Sequence, residues 1–461
     1  MQAAKLAAKK INESGGINGR PVELVEKEAA IMKEQADFLI YNTSQVLTCA
    51  GPPRARRREE LGEIGLIPRG AVAARQGKII AVGTEKQVFD AVETTPDAVI
   101  IDAQRSVLIP GLVDCHTHVL YSGTRAEEFS LKLKGVSYLE ILASGGGINY
   151  TVNQTRQATD EAILEQTIAR LRTMLRYGTT TVEIKSGYGL NTEEELRHLS
   201  LINKLSSSVP LDIVPTFMGA HAIPGEYSGH PDKYVAIIVE EMLPQVAARH
   251  LAEFCDVFCE QGAFTAFQSE RILTKARELG LRIKIHAEEM GNTGGALLAA
   301  KLNAHSAEHL LYIDRDAISA LARSGTIAIL LPGTSFYLRE RYAPARSLID
   351  AGVPVAIATD ANPGSCPNEN LQLVINLACL YLQMTPEEAI SAATINAAHA
   401  AGRGQKVGSL EIGKNADMVV LNADDFRFLA YHFGTNLAKY TVKNGRIAAN
   451  GEYEYKKQEQ E

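Results

Sequence analysis

The amino-acid sequence predicts an α/β protein, a (β/α)8 TIM barrel with a small β-sandwich domain built from both chain ends. The first observation is that strand-like apolar runs alternate with segments of helical periodicity between residues 107 and about 400. This alternation is typical of a parallel sheet covered by helices. The second is that eight such runs can be counted, as in a closed barrel. The third is that short β-rich runs occur on both sides of this region, and we expect the two groups to pair with each other.

One segment shows the type of crossover helix that a barrel needs. In DEAILEQTIARLRTMLRYG, apolar residues recur at three- and four-residue spacing and the segment ends at Gly178, as expected for an amphipathic helix closed by glycine. Barrels of this kind carry their catalytic residues at the carboxyl ends of the strands. The predicted strands are residues 107–118, 179–186, 211–219, 252–260, 281–287, 304–310, 326–331 and 354–359.

We expect three parts along the chain. Residues 1–34 begin with a basic amphipathic helix, QAAKLAAKKINES, that differs from the sequence after it, and we interpret them as an N-terminal appendage. Residues 35–106 and 405–455 are expected to form the small β-sandwich domain, because ADFLIYNTSQVLT and ADMVVLNA share the same β-rich composition. Residues 107–404 form the predicted barrel.

Composition excludes several classes of function. The chain has 461 residues, 46% hydrophobic and 22% charged, as is typical of a folded, water-soluble protein. Its 47 Lys and Arg against 54 Asp and Glu give a net charge of -7, which does not attract nucleic acid. No apolar run approaches the roughly 20 residues that span a bilayer, so we expect no membrane association. The six cysteines occur without a CxxC pair or a secretory signal, which favours the cytoplasm.

Residues that can bind a metal ion stand where predicted strands end. In IPGLVDCHTHVL, His116 and His118 are two residues apart, so on a strand both imidazoles point the same way. Taken alone, this pair is equally consistent with two hydrogen-bonded core histidines. The run RIKIHA contains His286 at its end, and VPVAIATD ends at Asp360. Three imidazoles and a carboxylate at the ends of the first, fifth and eighth strands predict a mononuclear metal site.

Such a site leaves a coordination position for water. A divalent ion lowers the pKa of a bound water from about 15.7 to about 7 and can polarise a carbonyl. The sequence therefore predicts metal-assisted hydrolysis with one divalent ion per subunit. Because Zn²⁺ and iron both accept nitrogen and oxygen ligands, the ligand types do not choose between them.

Several motifs resemble those of a known enzyme family. PGLVDCHTH, AEHL and ATDANPG are similar to motifs of the amidohydrolase superfamily, and EIKSGYGL, PTFMGAHAIP and HAEEMGN to motifs of the imidazolonepropionase family within it. This resemblance implies hydrolytic opening of a small-molecule substrate, 4-imidazolone-5-propanoate, to N-formimidoyl-L-glutamate in histidine degradation. It also implies a homodimer, and a zinc or iron ion held by His116, His118, His286 and Asp360.

The resemblance further implies a set of substrate-binding residues. Arg125 would pair with the propionate carboxylate, a task that suits the rigid guanidinium fork. Without the resemblance, a surface ion pair of Arg125 with Glu127 or Glu128 would be the favoured interpretation. Gly364 would permit close approach of the backbone to the ligand. The other implied contacts are Tyr188, His221, Glu289, Asn362 and Ser365.

Asp360, Glu289 and His309 are the implied catalytic residues. Asp360 would accept a proton from the attacking water, and Glu289 would assist its transfer to the departing ring nitrogen. His309 would hydrogen-bond the developing oxyanion. Two alternatives stay open, namely Glu288 in place of Glu289 and His305 in place of His309.

Three other functions also stay open. A deaminase of a cyclic amidine or purine-like base shares the HxH, His and Asp motifs, although Arg125, Tyr188 and His221 favour a carboxylate-bearing substrate. A binuclear hydrolase of the dihydroorotase type would need a modified lysine after the fourth strand, where the sequence reads VFCEQGAF. A non-catalytic barrel that acts as a scaffold is disfavoured, because suitable residues occupy all the metal and substrate positions.

Overall fold

The fold is that of a computed structural model of the chain, which describes residues 2–22, 33–136, 140 and 145–450. The chain divides into two compact units, Met1–Glu34 and Gln35–Glu461. The basic helix predicted in the first unit is present as Gln2–Glu13. None of the helices in the described part of the chain has the length and apolar composition that a bilayer crossing requires.

Short strands before the barrel contribute to two sheets. The strand β1 pairs antiparallel with β4, and β4 pairs antiparallel with β5. These strands are β1 (Glu34–Tyr41), β2 (Gln45–Leu47), β3 (Leu66–Pro68), β4 (Gly70–Arg75), β5 (Lys78–Thr84), β6 (Val92–Asp102) and β7 (Val107–Pro110).

Eight parallel strands follow, and each is paired with its neighbour in the chain, as predicted for the barrel. A parallel bridge between Thr117 and Ala361 joins the two ends of the strand order. At this junction the backbone N–H of Asp360 donates to the carbonyl of His116 at 3.0 Å. The barrel strands are β8 (Leu112–Asp114), β9 (Thr179–Lys185), β10 (Asp212–Ala220), β11 (Phe254–Cys259), β12 (Arg282–Ala287), β13 (Ser306–His309), β14 (Ile327–Leu330) and β15 (Val355–Ile357).

The first predicted strand, residues 107–118, is wrong as a single element. It divides into β7, which pairs outside the barrel, and β8, which belongs to it. The break falls at Gly111, where a Cβ atom would collide with the side chain of Thr180. His116 and His118 therefore lie beyond the end of β8 and not on a strand. Hydrophobicity alone does not show the break, because β7 and β8 are both fully buried.

Helices connect the barrel strands, and several of them begin at a side-chain cap. The predicted crossover helix is present as Asp160–Arg176, the Thr159 hydroxyl accepts a hydrogen bond from the N–H of Ala162, and Gly178 follows the helix with φ +95°. The helices of the barrel region are Ala126–Leu133, Ile148–Gln157, Asp160–Arg176, Thr192–Leu205, Pro231–Ile237, Leu243–Ala248, Ala266–Glu278, Gly295–Lys301, Arg315–Ser324, Pro332–Leu338, Ala345–Ala351, Leu371–Tyr381, Pro386–Ala393 and Ile395–Ala400. Shorter or flanking helical segments are Arg58–Gly62, Glu85–Ala91, Gly225–Tyr227, Ile238–Met242 and Phe428–Tyr431.

The two ends of the chain form the predicted β-sandwich. The C-terminal strands are β16 (Met418–Leu421), β17 (Ala438–Lys443) and β18 (Arg446–Asn450). One sheet has the order β5-β4-β1-β6, and the other has the order β18-β17-β16-β7-β2-β3. Phe38 and Val72 of the first sheet share one buried apolar cluster with Leu108 and Val420 of the second. The two sheets therefore pack face to face.

Candidate active site

The four predicted metal ligands lie together at the carboxyl-terminal ends of the barrel strands. His116 and His118 follow β8, His286 is near the end of β12, and Asp360 follows β15. Nε2 of His286 is 3.3 Å from Nε2 of His118. Oδ1 of Asp360 is 3.4 Å from Nε2 of His116 and 3.6 Å from Nε2 of His118. Three imidazoles and one carboxylate therefore converge on one point.

This arrangement fits a divalent metal ion. All four side chains are buried, and the donor atoms of His116, His118 and Asp360 lie within 4.8 Å of one another. Nε2 of His116 has no hydrogen-bond partner among the residues that the structure describes. A buried polar atom without a partner calls for a ligand, and nitrogen with oxygen is a donor set that divalent first-row metals accept.

Two buried carboxylates face the other nitrogens of the same histidines. Oε2 of Glu308 is 2.6 Å from Nδ1 of His116, and Oδ2 of Asp256 is 3.1 Å from Nδ1 of His286. A carboxylate in this position favours the tautomer with the proton on Nδ1. The lone pair of Nε2 is then free to bind a metal ion.

The backbone leaves the barrel in an unusual conformation at two candidate catalytic residues. The angle φ is +54° at Asp360 and +73° at His309, a left-handed conformation that costs non-glycine residues on the order of 1–3 kcal/mol. The surroundings of Asp360 compensate for this cost, because the Thr334 hydroxyl donates to Oδ2 at 2.6 Å. Oδ1 is left facing His116 and His118.

Glu289 lies beside His309, with Oε2 at 3.6 Å from Nε2 of the histidine. The N–H of Glu289 donates to Oε2 of Glu260 at 3.0 Å, which fixes the loop after β12. Burial and the nearby carboxylates of Asp360 and Glu260 raise the pKa of Glu289 to about 8. Burial also lowers the pKa of His309 to about 3. Near pH 7 the pair therefore combines a protonated carboxyl group with a neutral imidazole.

The two alternative residues, Glu288 and His305, have contacts outside the converging group. The carboxylate of Glu288 accepts from the N–H of Ala296 at 2.9 Å and so caps the helix that follows. His305 precedes β13, and its Nε2 is 2.8 Å from a backbone carbonyl oxygen. In contrast, the ring of His309 lies 5.1 Å from the ring of His286, between centroids.

Three aromatic side chains line the site beside His118. The ring of His221 stacks on His118, with centroids 4.8 Å apart, and its Nδ1 is 3.0 Å from the carbonyl oxygen of Gly187. The ring of Tyr188 is 5.3 Å from that of His221, and Tyr121 is 6.2 Å from Tyr188. Burial lowers the pKa of His221 to about 4, so this imidazole is neutral near pH 7.

Arg125 reaches the loop that follows β15. A Cβ atom at Gly364 would collide with Nη1 of Arg125, so the glycine admits the guanidinium. Oδ1 of Asn362 accepts from the N–H groups of Gly364 and Ser365, both at 2.8 Å, and its Nδ2 donates to the carbonyl of Asp360 at 2.7 Å. Asn362 therefore shapes the turn that leads from Asp360 to Gly364, the residue beside the guanidinium of Arg125.

Sequence reasoning missed a group of charged residues inside the barrel. They are fully buried and belong to strands, which is costly unless each has partners. A signal was present, because each interrupts an apolar run such as TTTVEIK or FCDVFC. These residues are Glu183, Lys185, Asp256, Lys284 and Glu308.

Comparison with known proteins is consistent with this site. Residues 107–448 match the amidohydrolase family. Imidazolonepropionases from Alkaliphilus metalliredigens and Geobacillus kaustophilus are 49% and 47% identical to the chain over 415 residues, which cover 90% of this chain and 98% of each relative.

Solved structures show the same fold at lower identity. A zinc-bound adenosine deaminase from Xanthomonas campestris has a TM-score of 0.67 at 20% identity, over 90% of this chain and 93% of that chain. A 5-methylcytosine deaminase from Klebsiella pneumoniae has a TM-score of 0.67 at 16% identity, over 90% and 98%. These two likenesses concern the fold alone. Because the two imidazolonepropionases are 49% and 47% identical to it over 90% of its length, the chain belongs to the imidazolonepropionase family of the amidohydrolases.

Proposed function

We propose that the chain hydrolyses the ring C–N bond of 4-imidazolone-5-propanoate to give N-formimidoyl-L-glutamate, a step of histidine degradation. The observation that carries this proposal is the convergence of His116, His118, His286 and Asp360. It occurs in a chain that is 49% identical to a protein named imidazolonepropionase. Deamination is less well supported, because the deaminases are similar at 16–20% identity and in fold only.

The four converging residues would hold one divalent ion, zinc or iron. When bound there, such an ion lowers the pKa of a coordinated water and polarises the carbonyl group of the substrate. Metal analysis of protein purified without added metal distinguishes zinc from iron. Metal supplied afterwards to chelated protein tests whether either ion restores turnover.

Proton movement is assigned to Asp360 and Glu289. The Thr334 hydroxyl donates to Oδ2 of Asp360 and fixes this carboxylate, which would take a proton from the attacking water. The water oxygen bonds to the carbonyl carbon, the ring C–N bond breaks, and the proton taken up by Asp360 passes to the departing nitrogen with the help of Glu289. Neutral His309 donates from Nε2 to the oxyanion that develops at the carbonyl.

Substrate orientation is assigned to three groups of residues. Arg125 would bind the propionate carboxylate, and the neutral imidazole of His221 and the phenol of Tyr188 would contact the ligand. The turn after β15, which adjoins Arg125, would also contact the ligand. Its residues are Asn362, Gly364 and Ser365.

The test is turnover of 4-imidazolone-5-propanoate generated enzymatically in the assay. We expect loss of its ultraviolet absorbance with metal-loaded protein and no loss after chelation. Cytosine and guanine serve as controls for deamination. Ammonia release from either base, without loss of the imidazolone, would overturn the proposal in favour of a deaminase.

We also propose that the enzyme is a homodimer and that it works in the cytoplasm. The six cysteines are free thiols in the structure, which suits a reducing compartment. A mass of twice 49.9 kDa by light scattering would support the dimer. Recovery of the enzyme outside the cytoplasmic fraction would contradict the second proposal.

A further inference from the structure

A lysine at the centre of the barrel contacts the carboxylates that face the metal ligands. Lys185 ends β9 and is fully buried. Its Nζ is 2.8 Å from Oε1 of Glu183, 2.8 Å from Oδ2 of Asp256 and 3.2 Å from Oε2 of Glu308. Because β9, β11 and β13 are alternate strands of the barrel, this one ammonium group ties three strands together below the site.

The contacts use the same oxygen atoms that face the histidines. Oε2 of Glu308 is 3.2 Å from Nζ of Lys185 and 2.6 Å from Nδ1 of His116. Oδ2 of Asp256 is 2.8 Å from Nζ of Lys185 and 3.1 Å from Nδ1 of His286. Each of these two carboxylate oxygens therefore contacts both the ammonium group of Lys185 and a predicted metal ligand.

These contacts orient the imidazole rings of the predicted metal ligands His116 and His286. An imidazole that keeps its proton on Nδ1 presents the lone pair of Nε2, and a fixed carboxylate holds both the tautomer and the ring plane. Without the ammonium group, each carboxylate can rotate towards other donors, and the hold on His116 and His286 is lost. We propose that Lys185 is a positioning residue that fixes the metal ligands through Asp256 and Glu308. This inference rests on the metal assignment made for the proposed function.

A second buried lysine provides a matched control. Lys284 is also fully buried, and its Nζ is 3.2 Å from Oε1 of Glu183 and 3.2 Å from the carbonyl oxygen of Cys115. It approaches Glu308 only to 3.7 Å, at Oε1 and not at the oxygen that faces the histidines. Removal of either lysine deprives the same core of one charge, but only Lys185 contacts both histidine-facing oxygens.

The experiment compares Lys185→Met with Lys284→Met in the full chain. The affinity for Zn²⁺ is measured by competition with a chelator, and the melting temperature of each metal-free protein reports on the fold. We expect the affinity to fall about tenfold or more in Lys185→Met and less than about threefold in Lys284→Met, at similar melting temperatures. Equal losses in both variants, or no loss in Lys185→Met, would overturn the proposal.

Two further variants keep the test decisive. Lys185→Gln retains a hydrogen-bond donor on a side chain one bond shorter, and serves if Lys185→Met does not fold. If Lys185 acts through Asp256, its replacement in an Asp256→Asn background should cost less Zn²⁺ affinity than in the natural chain. If the losses of Zn²⁺ affinity from the two replacements simply added, Lys185 would not act through Asp256. Wild-type protein that binds no Zn²⁺ at all would refute the metal assignment itself, a result distinct from failure of the positioning role.

Discussion

Arg125 and Glu128 form a bidentate ion pair beneath the surface. Nε of Arg125 donates to Oε2 of Glu128 at 2.9 Å, and Nη2 donates to Oε1 at 2.5 Å. Only 13% and 8% of the two side chains are exposed. The sequence alone favoured a surface ion pair for Arg125, so the partner agrees with that interpretation but the location does not. The pair occupies one edge of the guanidinium and leaves Nη1 beside Gly364. Glu128 thus orients the residue proposed to bind the substrate carboxylate.

Replacement of Arg125 by alanine should weaken substrate binding and leave the metal in place. A charge-assisted hydrogen bond contributes about 1.5–3 kcal/mol, so we expect KM to rise roughly 10- to 100-fold. Steady-state kinetics and metal analysis of the same preparation measure the two effects separately. An unchanged KM would refute the role proposed for Arg125 in binding the carboxylate.

The carboxylate of Glu128 should stabilise the fold most above pH 4.5. Burial opposes its ionisation, but hydrogen bonds from Arg125, Lys132 and the N–H of Gly147 lower its pKa from 4.5 to about 2. A lowered pKa means that the stabilisation is fully present above the unfolded value of 4.5 and is lost as the pH falls towards 2. Glu128→Gln should therefore be less stable than wild type at pH 7. Denaturant unfolding should show this difference narrowing below pH 4.5, and a constant difference would contradict the assignment.

Glu289→Gln should lower kcat while KM changes little. Glutamine can still hydrogen-bond a ring nitrogen, but it cannot carry a proton to the departing nitrogen. General acid–base catalysis contributes typically 10²- to 10⁴-fold, so we expect a loss of about 100-fold or more. Rapid kinetics on metal-loaded protein measures it.

Glu288→Gln is the natural control, because Glu288 precedes Glu289 in the chain and caps the helix Gly295–Lys301. Replacement of the carboxylate by a neutral amide weakens this cap, so the melting temperature should fall slightly and kcat should stay close to that of wild type. If the two variants lost kcat equally, the distinction drawn between the neighbouring carboxylates would be wrong.

The four predicted metal ligands could be located from the sequence because each stands at or just beyond the end of an apolar run. The carboxylates of Asp256 and Glu308, which face these ligands, could not be located in the same way. Glu308 faces the ligands because its Cα pairs with that of His286 across β12 and β13, and such a register is a property of two strands together. The sequence of RIKIHA or of HSAEHL taken alone does not determine how the two strands pair.

A similar limit explains the error in the first strand. Residues on both sides of Gly111 are apolar and buried, although β7 and β8 belong to different sheets. A run buried on both faces carries no alternation that could reveal such a change of sheet. The contact that requires the glycine comes from Thr180, which is 69 positions later in the chain.

His286→Ala should remove most of the bound metal, because it deletes one of three imidazole ligands. Metal content after gel filtration measures the loss. His305→Ala is the matched control, since His305 interacts with a backbone carbonyl away from the converging donors and its replacement should leave the metal content unchanged. Full metal occupancy in His286→Ala would show that the ligand assignment is wrong.

Deletion of residues 1–34 should leave turnover and metal content unchanged. We propose that this segment is an appendage, which is supported by the division of the chain into the units Met1–Glu34 and Gln35–Glu461. The truncated and full-length proteins should therefore share kcat, KM and melting temperature, measured side by side. Insoluble truncated protein, or a melting temperature lower by several degrees, would instead make the segment part of the fold.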